Sequence, residues 1–329
     1  MKISVALCTY NGAKYIDKQL ASILSQTYSV HEVIICDDGS TDLTPEILEQ
    51  YRIKFPGIVQ VIQNPINLGS KKNFDKAISM CSNDLIFLSD QDDIWVKTKV
   101  EEYVDFLNKN PAVMVVASNG FIINDEGIIQ PSLTLWDVPK ILSEQNEDID
   151  FFSHVCQCGN IVTGASIAIR QSYVSNVLPI PNALNMEHDE WITLVSSREN
   201  SFAMIDKKLF FYREHNDQQL GGVSFPLNED SKSQLYNQFS LAKYNFSRYK
   251  WRIKQLAIRH NRLLTEPTTS QQDLIIKQVT GIFNDLLHEF LKSYPIRGHF
   301  TRLIDKLTNK RQIAKLANSP TLRTSCEKK

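Results

Sequence analysis

No stretch of about 18 consecutive apolar residues occurs in this 329-residue chain, and no apolar segment of signal-peptide length opens it. The expectation is a protein that neither spans a membrane nor leaves the cell by the secretory route. Cysteine is sparse: Cys8, Cys36, Cys81, Cys156, Cys158 and Cys326 are scattered along the chain. Cys156-Gln157-Cys158 has the wrong spacing for a zinc pair, and no second pair follows it. Cys8 and Cys36 sit in apolar runs, where a free thiol behaves as a small hydrophobe. A reduced, cytosolic protein without structural disulfides is expected. The glycine-rich dinucleotide fingerprint is missing as well. The first apolar run ends in Thr9-Tyr10-Asn11-Gly12, which argues against a nicotinamide-dependent enzyme.

What is present is ordinary in bulk and uneven in distribution. Apolar residues make up 42% and charged residues 22%, the balance of a globular chain and not of a disordered one. Such a length holds one large α/β domain with an appendage, or two modest domains. The net charge of −1 conceals a split: residues 1–227 carry 17 Lys+Arg against 29 Asp+Glu, and residues 228–329 carry 19 against 8. An acidic body with a basic tail points the tail toward an anionic surface, either membrane or nucleic acid.

Ile3–Cys8 reads as a short buried strand closed by a turn-forming cluster, and residues 14–26 then show helical spacing. Val33–Cys36 is a second strand, ending in Asp37-Asp38-Gly39-Ser40-Thr41-Asp42, and Pro45 suits the first turn of the helix that follows. A strand at 58–62, a helix at 73–80 and a strand at 85–89 continue the alternation. That is the pattern of a doubly wound, mostly parallel sheet, whose ligands bind outside the carboxyl ends of the strands. Further strands are expected at 113–118 and 209–212. Thr163-Gly164-Ala165 supplies small residues that permit close backbone approach, and 187–191 opens a helix. The stretch 125–150 reads as irregular and polar, a flexible lid or acceptor loop. Beyond about residue 228 strand signals vanish, and 234–265, 271–293 and 299–317 read as helical. The expected division is an α/β domain over 1–227 and a basic helical region over 228–329.

The chemistry is densest where the strand at 85–89 runs into Asp90-Gln91-Asp92-Asp93. Three carboxylates at a strand end repel one another unless a cation sits among their oxygens. Hard oxygen ligands suit Mg²⁺ or Mn²⁺, and Mg²⁺ is usually shared between one or two carboxylates and substrate phosphates. The competing reading is an acid-capped helix N-terminus, since Trp95 onward looks helical, and it accounts for one or two of the three. Asp37 and Asp38 stand between turn and ligand in the same way, Asp189 between helix cap and general base, and His215 between ordinary residue and ligand. Lys71-Lys72 is either solvated or turned toward phosphates.

Val5-Ala6-Leu7-Cys8-Thr9-Tyr10-Asn11, Asp37-Asp38-Gly39-Ser40-Thr41-Asp42, Asn67-Leu68-Gly69 and Ser89-Asp90-Gln91-Asp92-Asp93, in this order and spacing, resemble family 2 glycosyltransferases with the GT-A fold. Thr163-Gly164, His188-Asp189-Glu190-Trp191 and Tyr212-Arg213-Glu214-His215-Asn216 resemble the rhamnosyltransferase-type branch, and the resemblance covers about residues 1–222. It implies a Rossmann-like, mostly parallel α/β sheet followed by a C-terminal helical region. It also implies inverting transfer of a sugar from a nucleotide-diphosphate donor, dTDP-rhamnose or a UDP-sugar, to a glycan or lipid-linked acceptor. The setting implied is bacterial surface-polysaccharide assembly at the cytoplasmic face of the membrane. The roles carried over are these: the backbone around Cys8, Thr9, Tyr10 and Asn11, with the Asp38 carboxylate, holds the nucleobase, and Asn67 and Gly69 join the donor-binding set. Asp90 meets the ribose, or the metal through water, while Asp92 binds Mg²⁺ or Mn²⁺ directly and Asp93 starts the next helix. Asp189 is the base, with His188 and Trp191 beside it offering an aromatic face to a sugar. His215 binds the metal or the diphosphate, Arg213 supports the diphosphate electrostatically, and Asn216–Val223 with Gly221-Gly222 forms a mobile loop over the donor.

Rival classes fit less well. A sugar-nucleotide nucleotidyltransferase would want a basic, Gly-rich phosphate loop after the first strand. A processive synthase would need transmembrane helices and a Gln-x-x-Arg-Trp element. A catalytically inactive binding module of the same fold would have no need of the full set of carboxylates. A nucleic-acid binder suits neither the acidic body nor the absence of a recognised motif. For the tail, Phe300, Leu303, Ile304 and Leu307 interleaved with Arg302, Lys306, Lys310 and Arg311 read either as a helix packed on the body or as a basic amphipathic surface on anionic lipid.

Overall fold

Ile-Ser-Val-Ala-Leu-Cys-Thr at residues 3–9 is apolar on both sides of the strand it forms, as a strand covered on both faces requires. In the computed structural model, which describes residues 1–182, 186–216, 218, 222–242, 245–264 and 269–294, this strand, β1 (Ile3–Thr9), is buried at every position. The parallel neighbours of β1 are β2 (Glu32–Asp37) on one side and β4 (Leu85–Ser89) on the other, and β3 (Val59–Gln63) extends the sheet beyond β2. The helices Ile16–Leu24, Thr44–Lys54 and Ser70–Met80 connect them. In the first of these, Ile16, Leu20 and Ile23 recur at helical spacing and are all buried.

Past β4 the sheet becomes mixed. The short strand β9 (Ala168–Arg170) lies antiparallel between β4 and β6 (Val115–Ile123), and β10 (Phe202–Arg213) runs parallel to β6. At the far edge β5 (Ile94–Trp95) pairs antiparallel with β10, so the order is β3-β2-β1-β4-β9-β6-β10-β5, with β7 (Ile129–Gln130) on β6. The expected alternation and mostly parallel sheet are therefore found. β10 is far longer than the expected 209–212 because Asp206-Lys207-Lys208 interrupts its apolar pattern at two register shifts, where the strand bulges.

Two further expectations need correction. Residues 125–150 are not an irregular lid. They hold β7, then β8 (Ser132–Thr134), which pairs with β11 (Ser224–Pro226), then a capping box between Thr134 and Asp137 and the helix Val138–Ser143. Trp136 is buried there, edge-on to Phe210 and Tyr212 at ring-centroid distances of 5.0 and 5.6 Å. Residues 234–265 are two helices and not one, Glu229–Phe239 and Phe246–Leu263, the second started by an Asn245 side chain that accepts from the Arg248 N–H at 3.0 Å.

The chain divides into two compact units: Met1–Phe151 with Ile161–Ile180 and Glu187–Gln238, and Phe152–Asn160 with Pro181–Met186 and Phe239–Lys329. The first contains the whole sheet. In the second, Phe246–Leu263 packs against Ser270–Ser293 through Phe246 and Tyr249, whose rings lie 5.4 and 5.6 Å from that of Phe290. Two of its cations are internal. Arg252 donates to the Ser240 carbonyl and the Cys158 thiol, and Arg259 to the Cys156 carbonyl. The expected helix at 299–317 lies outside the described residues. Cys8, Cys36, Cys81, Cys156 and Cys158 are free and buried. Among the described residues no helix is long and apolar enough to cross a membrane.

Candidate active site

Residues Thr9–Gly12 follow β1, Asp37–Asp42 lie at the end of β2, Asp90–Asp93 follow β4 and Arg213–His215 lie at the end of β10. The first two segments are stitched together by their own polar groups. Asn11, in the left-handed region at φ 50, donates its N–H to Ser40 Oγ at 2.8 Å and accepts the Thr41 N–H on Oδ1 at 2.8 Å. Gly12 donates to Thr44 Oγ1 at 2.8 Å. Gln91 then clamps the turn to the aspartate motif: its Oε1 accepts from Thr9 Oγ1 at 2.6 Å and Tyr10 N–H at 2.8 Å, and its Nε2 donates to the Tyr10 carbonyl at 3.2 Å. A Cβ on Gly12 would lie 2.2 Å from that Oε1, which is why glycine stands there.

Both aspartates after β2 shape loops. Asp37 accepts from the Ser40 N–H and hydroxyl. The buried Asp38 carboxylate accepts from Asn64 Nδ2 at 2.8 Å, Leu68 N–H at 2.8 Å and Gly69 N–H at 2.9 Å. It thereby fixes the Asn67-Leu68-Gly69 turn, in which Gly69 has φ +79 and Asn67 Oδ1 accepts the Gly69 N–H at 3.1 Å. Asn64 and Asn73, which periodicity could not distinguish from ordinary polar residues, brace this turn from behind, joined at 2.8 Å. Lys72 is exposed and Lys71 half-buried at the start of the next helix.

The carboxylates after β4 do not cap a helix. Residues 94 and 95 form strand β5 and the helix begins only at Lys99, so Asp93 does not start it as expected. Burial, then the charge of Asp92, pushes the Asp90 carboxyl up to about 7, with Lys99 opposing. Asp93 is raised well above the carboxylate range for the same reasons; its Oδ1 accepts the Arg213 N–H at 3.2 Å. Its Oδ2 is buried without a hydrogen-bond partner. Lys99 was not anticipated. It is fully buried, donates to the Ala165 carbonyl at 2.7 Å and sits 4.2 Å from the Trp95 ring and 5.0 Å from Phe210. Burial lowers its ammonium to about 7 while Asp93 and Asp90 pull it back up. Helical spacing carried the signal, because Lys99, Tyr103 and Leu107 share one buried face.

Asp92 Oδ2 meets His215 Nε2 at 3.0 Å across 123 positions of sequence, with side chains 16% and 6% exposed. Tyr15 is their platform. Its ring lies 4.9 Å from that of His215 and 4.8 Å from the Arg213 guanidinium, and its hydroxyl donates to Asp125 Oδ1 at 2.5 Å. Among the described residues no three His, Cys, Asp or Glu side chains converge as a ready-made metal cage. The donor set nonetheless suits a hard divalent cation: one carboxylate and one imidazole in contact, beside a carboxyl crowded by unbalanced negative charge, with the remaining positions for substrate oxygens.

Asp189 is the second residue of the helix His188–Arg198. Burial raises its carboxyl to about 7, the Glu190 N–H at 2.6 Å acting against that rise; Asp90 adds a weaker upward push, so their charges interact. Trp191 cannot face a sugar as expected. It is 1% exposed and its indole N–H donates to the Val177 carbonyl at 2.7 Å. Arg213 is 1% exposed, and its guanidinium donates to the carbonyls of Asp92 at 2.8 Å, Asn124 at 3.0 Å and Asp125 at 2.9 Å. The expected loop over 216–223 lies partly outside the described residues.

Strand-end carboxylates, a looped turn after β1 and a histidine returning to the aspartate motif accompany a family match over residues 4–168, to glycosyl transferase family 2. The chain belongs to that family. It is a glycosyltransferase. An uncharacterized glycosyltransferase of Nostoc sp. is 27% identical over 239 residues, 71% of this chain and 71% of its own. The dTDP-rhamnosyl transferase RfbG of Shigella flexneri is 29% identical over 225 residues, 67% of this chain and 75% of its own. Among solved structures, S. aureus TarS 1-349 in complex with UDP-GlcNAc superposes with a TM-score of 0.52 at 20% identity, covering 95% of this chain and 83% of that one. The mannosyltransferase PcManGT of Pyrobaculum calidifontis, in complex with GDP-Man and Mn²⁺, gives 0.50 at 15% identity, covering 98% and 82%. These two likenesses establish the shared GT-A fold.

In this transferase the three carbonyls held by Arg213 tie the aspartate motif to the β6–β7 turn. Replacing Arg213 by Met removes the guanidinium from all three, leaving the Asn124 carbonyl only its bond from the Gly127 N–H at 2.9 Å, and the expected destabilisation is on the order of 3 kcal/mol in equilibrium urea unfolding. A loss below about 1 kcal/mol would show that the guanidinium is not the anchor.

Proposed function

We propose that this glycosyltransferase inverts: it moves a sugar from a nucleoside-diphosphate donor to a glycan or lipid-linked hydroxyl, with Asp189 as base and Asp92 and His215 as metal ligands. The observation that carries the reading is the Asp92–His215 contact of 3.0 Å beside two carboxyls, Asp90 and Asp189, both held near 7. A carboxylate raised that far is a stronger base at working pH, which supports Asp189 in the role. The acceptor hydroxyl gives its proton to Asp189 as its oxygen bonds to the anomeric carbon. The bond from that carbon to the diphosphate oxygen breaks on the opposite face, and the proton remains on Asp189. Mg²⁺ or Mn²⁺, when bound, supplies Lewis-acid neutralisation of the departing diphosphate.

The turn at Cys8–Asn11, held by Gln91 and Ser40, and the turn at Asn67–Gly69, held by Asp38, are the surfaces for the nucleoside. Arg213 acts by holding the backbone of Asp92 in place. The named Shigella relative supports dTDP-rhamnose as donor, while the titles of the structural neighbours keep UDP- and GDP-sugars within the panel to be tried. The charge of residues 228–329, 19 basic against 8 acidic side chains, supports an anionic membrane face as the place where a lipid-linked acceptor is met.

Asp189→Asn is expected to lower kcat by at least about 10³-fold while leaving donor binding within a few-fold. In the wild type kcat/KM should rise with pH through about 7, because the base is active only when its raised carboxyl has lost its proton. Near-full transfer by the Asn variant would remove Asp189 from the role. Chelation should abolish transfer and added Mn²⁺ or Mg²⁺ restore it; turnover indifferent to chelator would sink the metal assignment. At low salt the full chain should sediment with vesicles containing phosphatidylglycerol and not with neutral ones, and equal binding to both would count against the membrane reading.

A further inference from the structure

Beside Asp189 stands a group for which the reaction as described has no use. His188 is 6% exposed, its ring stacked on Phe74 with centroids 4.0 Å apart and planes at 23°. Its other neighbour is Gly164: a Cβ there would lie 2.3 Å from His188 Nε2 and 3.2 Å from Cε1. The ring fits only because residue 164 has no side chain. Neither ring nitrogen has a hydrogen-bond partner, and the adjoining hydroxyl, Thr163 Oγ1, is also buried and unpartnered. Thr163 immediately precedes Gly164, the residue against which His188 Nε2 lies, and buried polar atoms left open are uncommon in a folded chain, since each leaves unmade a bond that it could make in water.

We propose that His188 and Thr163 form a hydroxyl-binding subsite that reads one hydroxyl of the sugar presented to Asp189. The inference rests on the transferase reading above. Burial keeps the imidazole neutral, lowered to about 3, so at working pH the ring carries one donor and one acceptor nitrogen. Thr163 adds a hydroxyl able to do either. Such a set matches an alcohol, which also donates once and accepts, and suits a phosphate or a carboxylate poorly because it brings no positive charge. Asp189 is the next residue of the chain, so the proposed subsite and the proposed base are one peptide unit apart at the same helix start. Phe74 and Gly164 hold the ring from two sides, and this makes the subsite rigid, a condition for discriminating one hydroxyl from its absence.

His188→Phe keeps a ring on Phe74 and removes both nitrogens; Thr163→Val removes the hydroxyl at nearly constant volume. Each is compared with the wild type for thermal unfolding, for transfer with whichever of dTDP-rhamnose, UDP-glucose, UDP-GlcNAc and GDP-mannose the wild type uses, and for binding of that donor and of its nucleoside diphosphate alone. The expected result is a fall in kcat/KM of about 10- to 100-fold in each variant, with an unchanged Kd for the nucleoside diphosphate. If the hydroxyl belongs to the donor, the Kd of the intact donor weakens; if it belongs to the acceptor, donor binding holds and the acceptor KM rises. Should His188→Phe unfold, Thr163→Val and His188→Asn, which retains a donor and an acceptor, still decide the matter. Variants within about twofold of wild type in every one of these measures would overturn the subsite and leave the transferase reading standing. A wild-type chain that turned over no donor in the panel would overturn that reading and the subsite with it.

Discussion

Negative charge crowded at the end of a buried strand is the constraint on which the site depends. Two unit charges about 5 Å apart at an effective dielectric near 20 repel by roughly 3 kcal/mol, more than a typical hydrogen bond returns. Burial first, and this repulsion second, hold the Asp90 and Asp93 carboxyls above the ordinary carboxylate range. What offsets the repulsion is a buried ammonium, Lys99, lodged among aromatic rings that attract a cation with their faces. Its attraction reaches both Asp93 and Asp90, so the fold itself supplies part of the neutralisation that the cluster needs.

The same arrangement engages many polar residues near the site with the backbone of its loops. Gln91 lies between two aspartates, yet its three hydrogen bonds go to Thr9 and Tyr10. Arg213 precedes His215 by two positions, yet its donors reach backbone carbonyls. Asp38 holds a turn through Leu68 and Gly69. Loops at strand ends have few ladder bonds of their own, so side chains must satisfy the backbone if these loops are to keep one shape. A site that positions a sugar against a diphosphate needs that rigidity.

This division of labour also sets the limit on what could be read from the sequence. The alternation of strands and helices, the four parallel strands β1 to β4 and the family were legible because they depend on periodicity and on motifs in fixed order. The length of β10 was not, since Asp206-Lys207-Lys208 hides a bulged strand inside a polar run. Nor was the fold of residues 125–150, where the strands are two and three residues long and take their stability from partners 6 to 94 positions away. At the site, Asp92 and His215 carried motif signals, whereas Lys99 belongs to no motif and its signal was the helix face that it shares with Tyr103 and Leu107. Trp191 failed in the opposite sense: its position beside Asp189 suggested a sugar platform, and packing on Val177 removed it.

Near the site, buried side-chain atoms without a partner include Asp93 Oδ2, Thr163 Oγ1, both His188 nitrogens and His215 Nδ1, together with one nitrogen of the loop-holding Arg213. Each such atom carries a desolvation penalty that a ligand, an ion or water can offset. In the second unit the buried cations serve the fold. Arg252 and Arg259 donate to carbonyls of their own unit, so they are structural cations, and any anionic surface must be met by the other basic residues of the tail.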